Sequence, residues 1–149
     1  MPTIPYCTKA DIYPDQISIS MVIKLTDDSG LKTEMDETLE AVVDKAIIDA
    51  SAEIDGYCQK LYAVPLTPVP ELIRKYAVDM AIYNLYARRD IEIPEIRKDR
   101  HHQAIAYLKL VTEGKAALGA ATPVADSPPN EVSISSNSAV FTRANMEGF

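Results

Sequence analysis

Apolar residues return every three or four positions in three long stretches of this chain, and polar and proline-rich breaks separate them. In the first stretch Leu39, Val43, Ala46 or Ile47, Ala50, Ile54, Tyr57 or Cys58, and Leu61 form one stripe, with Asp44, Lys45, Glu53 and Lys60 largely off it. This predicts a helix that starts near Thr33 or Asp36, either of which can cap it, and runs to about Leu61. Gly56 falls inside it, at a cost of about 1 kcal/mol relative to alanine. A glycine there permits a close helix approach or ends an early turn.

Val64-Pro65-Leu66-Thr67-Pro68-Val69-Pro70 is a forced break, because each proline drives the residue before it toward extended geometry. Thr67 is the expected cap of a second helix, Pro68 to about Arg89, with Pro68 at its first position. Leu72, Tyr76, Met80, Tyr83 and Ala87 make one face, and Ile73, Ala77, Ile82, Leu85 and Tyr86 widen it almost all round. A helix apolar on most sides is central and buried. Asp79 and Asn84 interrupt it and, if buried, need hydrogen-bond partners. A third helix is expected from Glu95 to Gly114, with Ile96, Ala104, Ile105, Leu108 and Val111 inward and Gly114 or Gly119 as its stop.

The ends follow different rules. Residues 1–14 hold Pro2, Pro5 and Pro14 and read as an irregular arm, with Thr8 able to cap a single helical turn. Ile17, Ile19, Met21 and Ile23 alternate, which is a strand signal. Thr26-Asp27-Asp28-Ser29-Gly30 is a turn; as a calcium loop it would have Leu25 as first ligand and Asp36 as last, so a plain aspartate-rich turn is the better reading. From residue 119 the composition changes to a linker with Pro123, Pro128 and Pro129. Val132-Ser133-Ile134-Ser135 then alternates like a strand. Both phenylalanines of the chain lie in its last ten residues. An ending that reserves its aromatics this way reads as a docking peptide, with Phe141, Met146 and Phe149 as apolar anchors and Arg143 as a polar one. The expected division is a helical domain over 1–118 and a linker with an extended docking arm over 119–149.

Charge and composition narrow the function. A net charge of −7 is a poor match to nucleic-acid binding, which needs Lys and Arg to displace counterions. The two cysteines, Cys7 and Cys58, are far apart and read as reduced thiols. No signal peptide or membrane span is expected: the most apolar run, Tyr76 to Ala87, is short and broken by Asp79 and Asn84. No phosphate loop can be built from five scattered glycines, and no His or Asp frames the serines near Ser133 as a triad. Glu95, Asp99 and His102 fall at i, i+4 and i+7, but the run Arg97-Lys98-Asp99-Arg100-His101-His102 reads as a solvated helix face rather than a metal site. No enzyme, cofactor or metal is expected. Eight tyrosines are the surplus, and core packing accounts for most.

Several segments, in order, resemble the small helical head–tail connector proteins of Mu-like tailed phages. They are Leu25-Thr26-Asp27-Asp28, Asp49 to Tyr57, Pro65-Leu66 with Val69-Pro70, Ile82 to Arg89, Gly114 to Gly119, and Val140-Phe141-Thr142-Arg143 with Gly148-Phe149. The proline-rich start, Ser18-Ile19-Ser20 and the surroundings of Cys58 depart from that pattern. The resemblance implies a mainly α fold: a small bundle of three main helices plus short N-terminal helices, so that Ile17–Ile23 becomes a helix despite its alternation. It implies an adaptor that binds the portal protein at the capsid vertex as a dodecameric ring of neighbouring copies. That ring would meet the stopper or tail-completion protein and extend the channel through which DNA passes unread. Its place would be the virion neck, reached from the host cytoplasm during assembly. The arm residues Val140, Phe141, Thr142, Arg143, Met146, Gly148 and Phe149 would dock on the portal or a neighbour. Tyr57, Tyr62, Tyr86, Arg88 and Arg89 are candidates for the subunit interface, where tyrosine and arginine are enriched. The competing reading is a small acidic phage-encoded inhibitor that binds a host protein, but here the acids are interspersed with bases.

Overall fold

The computed structural model describes residues 3–119, which form five helices and, among the described residues, no strand. The linker beyond Gly119, the Val132–Ser135 alternation and the arm from Val140 to Phe149 lie outside the described residues. Two short helices come first, α1 (Lys9–Ile12) and α2 (Ile19–Thr26), followed by the main three, α3 (Glu37–Cys58), α4 (Glu71–Ala87) and α5 (Glu95–Thr112). The fold is therefore mainly α, with three main helices packed together and short helices before them.

Each start has a local cause. Before α1, the Asp11 carboxylate reaches back to accept from the Thr8 amide at 2.8 Å and hydroxyl at 2.9 Å. Ser18 accepts from the Met21 amide at 3.3 Å, so a capped helix replaces the strand that the alternation alone would give. Asp36, not Thr33, caps α3 by accepting from the Leu39 amide at 2.9 Å. The start of α4 differs from expectation: Pro70 is its cap, and Thr67 is not. Thr67 and Val69 both precede prolines, which disfavours the helical region for each, so the helix begins only after the last proline. α5 stops where Gly114 takes φ +72°. There the Lys115 amide bonds the Leu110 carbonyl at 2.8 Å and the Gly114 amide bonds that of Val111 at 3.0 Å, a left-handed glycine stop.

α4 packs on both α3 and α5, which also touch each other; α2 lies against α3 and α4. The inward stripe of α3 is Leu39, Val43, Ala46, Ile47, Ala50, Ile54 and Cys58, close to the predicted one. On α4 the buried set is Ile73 and the unbroken run Ala77–Ile82, then Leu85 and Tyr86. Leu72 and Ala87, expected inside, are exposed. On α5 Ala104, Leu108 and Val111 are inward as expected, but Ile96 is 56% exposed. The face that continues toward the start of α5 passes through His101 and Arg97 instead, one helical step away from Ile96.

One polar node ties the N-terminal arm to the bundle. The buried Tyr6 hydroxyl donates to Asp55 and accepts from the Leu66 amide at 2.8 Å, and its own amide donates to Ser51 Oγ at 3.0 Å. Burial, then the Asp55 hydrogen bond, push the Tyr6 phenol well above its usual range. At the same C-terminal end of α3, Thr112 Oγ1 of α5 donates to the Tyr57 carbonyl at 2.8 Å, a partner for one of the helix's free terminal carbonyls.

Gly56 corrects both readings offered for it: it is exposed, and a Cβ there would meet nothing within 4 Å. Gly56→Ala is therefore expected to stabilise the protein by about 0.5–1 kcal/mol. Gly114→Ala, at positive φ, is expected to destabilise it by about 1 kcal/mol. Urea unfolding of the two variants should move the midpoint in opposite directions.

Candidate interaction site

Two acidic residues after α2 and two arginines after α4, sixty positions apart, meet because α2 lies against α4. Arg88 donates from Nη1 to the Leu25 carbonyl at 2.8 Å and from Nη2 to both Asp28 oxygens at 3.1 and 3.0 Å. Arg89 donates from Nη1 to Asp28 Oδ1 at 2.8 Å and from Nη2 to the Asp27 carbonyl at 2.9 Å. The two guanidinium groups thus close carbonyls at the end of α2 and grip one carboxylate together. The Arg88 hydrogen bond, foremost, holds the Asp28 carboxyl below its usual range.

The next residues form the turn expected from their composition. Asp27 Oδ1 accepts from the Ser29 hydroxyl at 2.6 Å and amide at 2.9 Å, and Oδ2 accepts from the Lys32 amide at 2.8 Å. These bonds, the Ser29 hydroxyl first, lower the Asp27 carboxyl to about 2. Gly30 takes φ +70°, as the reversal requires. Held from both ends, the turn carries Leu31 at its tip, 84% exposed. Among the described residues it is the most exposed large apolar side chain, and it sits on a fixed loop. Its signal in the sequence is a lone leucine between Gly30 and Lys32 inside a polar turn.

The structure separates the residues nominated for a subunit interface. Tyr62 and Tyr86, 4% and 5% exposed, belong to this chain's own core. The Tyr62 hydroxyl accepts from the Leu118 amide at 3.3 Å and so ties the end of the bundle to its middle. Tyr57 is half-buried. Arg88 and Arg89 make the internal clamp. Val140, Phe141, Thr142, Arg143, Met146, Gly148 and Phe149 fall outside the described residues.

The basic run at the start of α5 is only partly a solvated face. Arg97 turns inward and donates from Nη2 to the Gln16 carbonyl at 2.6 Å, and His101 stacks on the Tyr83 ring at 3.9 Å. Burial lowers the pKa of both. Among the described residues no three His, Cys, Asp or Glu side chains are placed to hold a metal. Cys7 and Cys58 are buried free thiols, pushed up to about 12 and about 11, mainly by burial. No helix among the described residues is long and apolar enough to cross a membrane.

The family model described as "Bacteriophage Mu, Gp36" matches residues 6–136. "Gene product J" of Escherichia phage Mu is 32% identical over 120 residues, 79% of this chain and 82% of that protein. "Mu-like prophage FluMu protein gp36" of Haemophilus influenzae is 34% identical over 80 residues, 54% of this chain and 55% of that protein.

The Asp27 turn should be sensitive to acid. Its folded-state carboxyl titrates below its ordinary value of 3.8, so its hydrogen bonds are fully formed above that pH and are lost as pH falls through about 2. The Ser29 and Lys32 amide resonances should shift together with a midpoint near about 2. Arg88→Ala should leave the helices folded and speed amide exchange at those two positions.

Proposed function

The chain belongs to the Bacteriophage Mu Gp36 family, and from that premise we propose that it is a structural virion protein that joins the capsid to the tail. The observation that carries this reading is the clamped loop that keeps Leu31 out in water. Two arginines and an aspartate cage fix a leucine that is exposed among the described residues. Such a knob serves a partner surface, since apolar groups gain by leaving water. Leu72, Ile96 and Leu110 are further exposed apolar residues on other parts of the body.

In this reading the chain acts by contact and carries out no catalysis. Copies stand side by side as a ring on the portal protein, the arm from Val140 to Phe149 docks on the portal or a neighbour, and the stopper or tail-completion protein lies beyond. Ring closure needs two different, complementary patches on each copy. An acidic body is suited to a channel through which DNA must pass without sticking.

The inhibitor alternative needs a dense carboxylate face. Here acids are interleaved with bases: Lys9 pairs with Glu40 and Asp44, Lys32 with Asp36, and Lys45 with Asp49. These pairs break up the negative surface that mimicry of DNA would use.

Leu31→Asp tests the reading. The variant should fold with an unchanged thermal midpoint, because the side chain contributes little to the core. Supplied in trans to a phage lacking the gene, it should restore few or no infectious tailed particles. Full rescue by Leu31→Asp would remove the knob, and the argument built on it, from the proposal.

A further inference from the structure

A groove of about 300 Å³ lies where the start of α4 meets the last described residues of the chain. Pro70, Leu72 and Ile73 form one side of it, and Tyr107, Ala117 and Leu118 the other. Among the described residues Glu71, exposed at the rim, is the one charged group of the lining. Two hydrogen bonds hold the second side in shape. The Tyr107 hydroxyl donates to the Ala117 carbonyl at 2.7 Å, and the Leu118 amide donates to the Tyr62 hydroxyl at 3.3 Å. Leu72 is 39% exposed, although its place in the apolar stripe of α4 is that of a covered residue.

The rest of the chain departs from this groove, since Gly119 is part of its lining. Residues 120–149 hold both phenylalanines, Phe141 and Phe149, and a single cation, Arg143. In Val140-Phe141-Thr142-Arg143 an aromatic anchor and that cation stand two positions apart, on one face of an extended segment. The pair matches an apolar groove with an acidic rim. Phe149 matches less well, with Glu147 two positions before it, and so does Val132 beside Glu131. Reach is sufficient: a random chain as long as the stretch from Gly119 to Phe141 spans roughly 25 Å. Tethering of this kind gives an effective concentration on the order of 1 mM, so even weak binding fills the site.

We infer that in the free protein this groove is covered by the chain's own Val140–Arg143 segment, with Phe141 in the groove and Arg143 over Glu71. The contact removes from water both the Leu72 side of the groove and the aromatic anchor. The inference stands apart from the connector reading but bears on it. An arm that docks on a portal or a neighbour must first leave this groove, so docking exchanges one apolar contact for another. An unassembled copy thereby keeps its anchor away from other copies.

The test uses the full chain with a nitroxide attached through Ser138→Cys; Cys7 and Cys58 are buried and stay unlabelled. The nitroxide should broaden the amides of Leu72, Ile73 and Tyr107 several-fold more than those of Ser29 and Lys32, which lie beyond the far end of α4. Adding Phe141→Ser should abolish that difference, and so should adding Leu72→Asp. If Leu72→Asp fails to fold, Phe141→Ser decides alone, since it lies outside the bundle. A mixture of isotope-labelled parent and unlabelled nitroxide-bearing chain should show no broadening at the groove. The inference is overturned by equal or absent broadening at the two ends of α4, or by broadening that survives Phe141→Ser. Broadening at the groove in the mixed sample also overturns it and gives the groove to a neighbouring copy's arm. Failure of the connector reading in the phage would leave all these results unchanged.

Discussion

Everything in this fold depends on covering α4. Six consecutive residues, Ala77 to Ile82, are all buried, so the helix has no solvent side over its middle turns. One neighbouring helix cannot achieve that. α3 and α5 take the two broad faces, and α1 and α2 add further contacts. The two prolines just before α4 set where it begins, and the Arg88–Arg89 pair just after it anchors the end of α2. The bundle is thus arranged around one hydrophobic rod, with polar devices at its two ends.

Those polar devices link fold to function. The tyrosine node at Tyr6 pulls the N-terminal arm onto α3 and closes the proline-rich turn at Leu66. The arginine clamp fixes the 27–32 turn and so presents Leu31. Neither supplies reaction chemistry. Both turn an otherwise plain helical bundle into a body with defined protrusions, which is what the proposed docking role requires.

The three long helices were legible in the sequence because their apolar spacing is regular and their core is made of the residues that spacing selects. The strand-like alternation of Ile17 to Ile23 was misleading by itself: tertiary packing and the Ser18 cap decide for helix. Faces went wrong by one position at Leu72 and Ile96, where a residue's burial depends on which neighbour reaches it. Arg97 and His101 read as solvated because charge is a poor guide when a ring can stack on Tyr83 and a guanidinium can find a distant carbonyl. The segments Leu25–Asp28 and Ile82–Arg89 were both picked out by family resemblance. Their contact was not readable, since no local rule pairs residues sixty positions apart. Tyr62 and Tyr86 were nominated for an interface on residue type, and only the packing reveals them as core.

The most direct measurement is to disrupt this gene in its phage and image the lysate by electron microscopy. A role at the joint between capsid and tail predicts heads, DNA-filled or leaked, beside separate finished tails. Normal tailed particles in that lysate would contradict it.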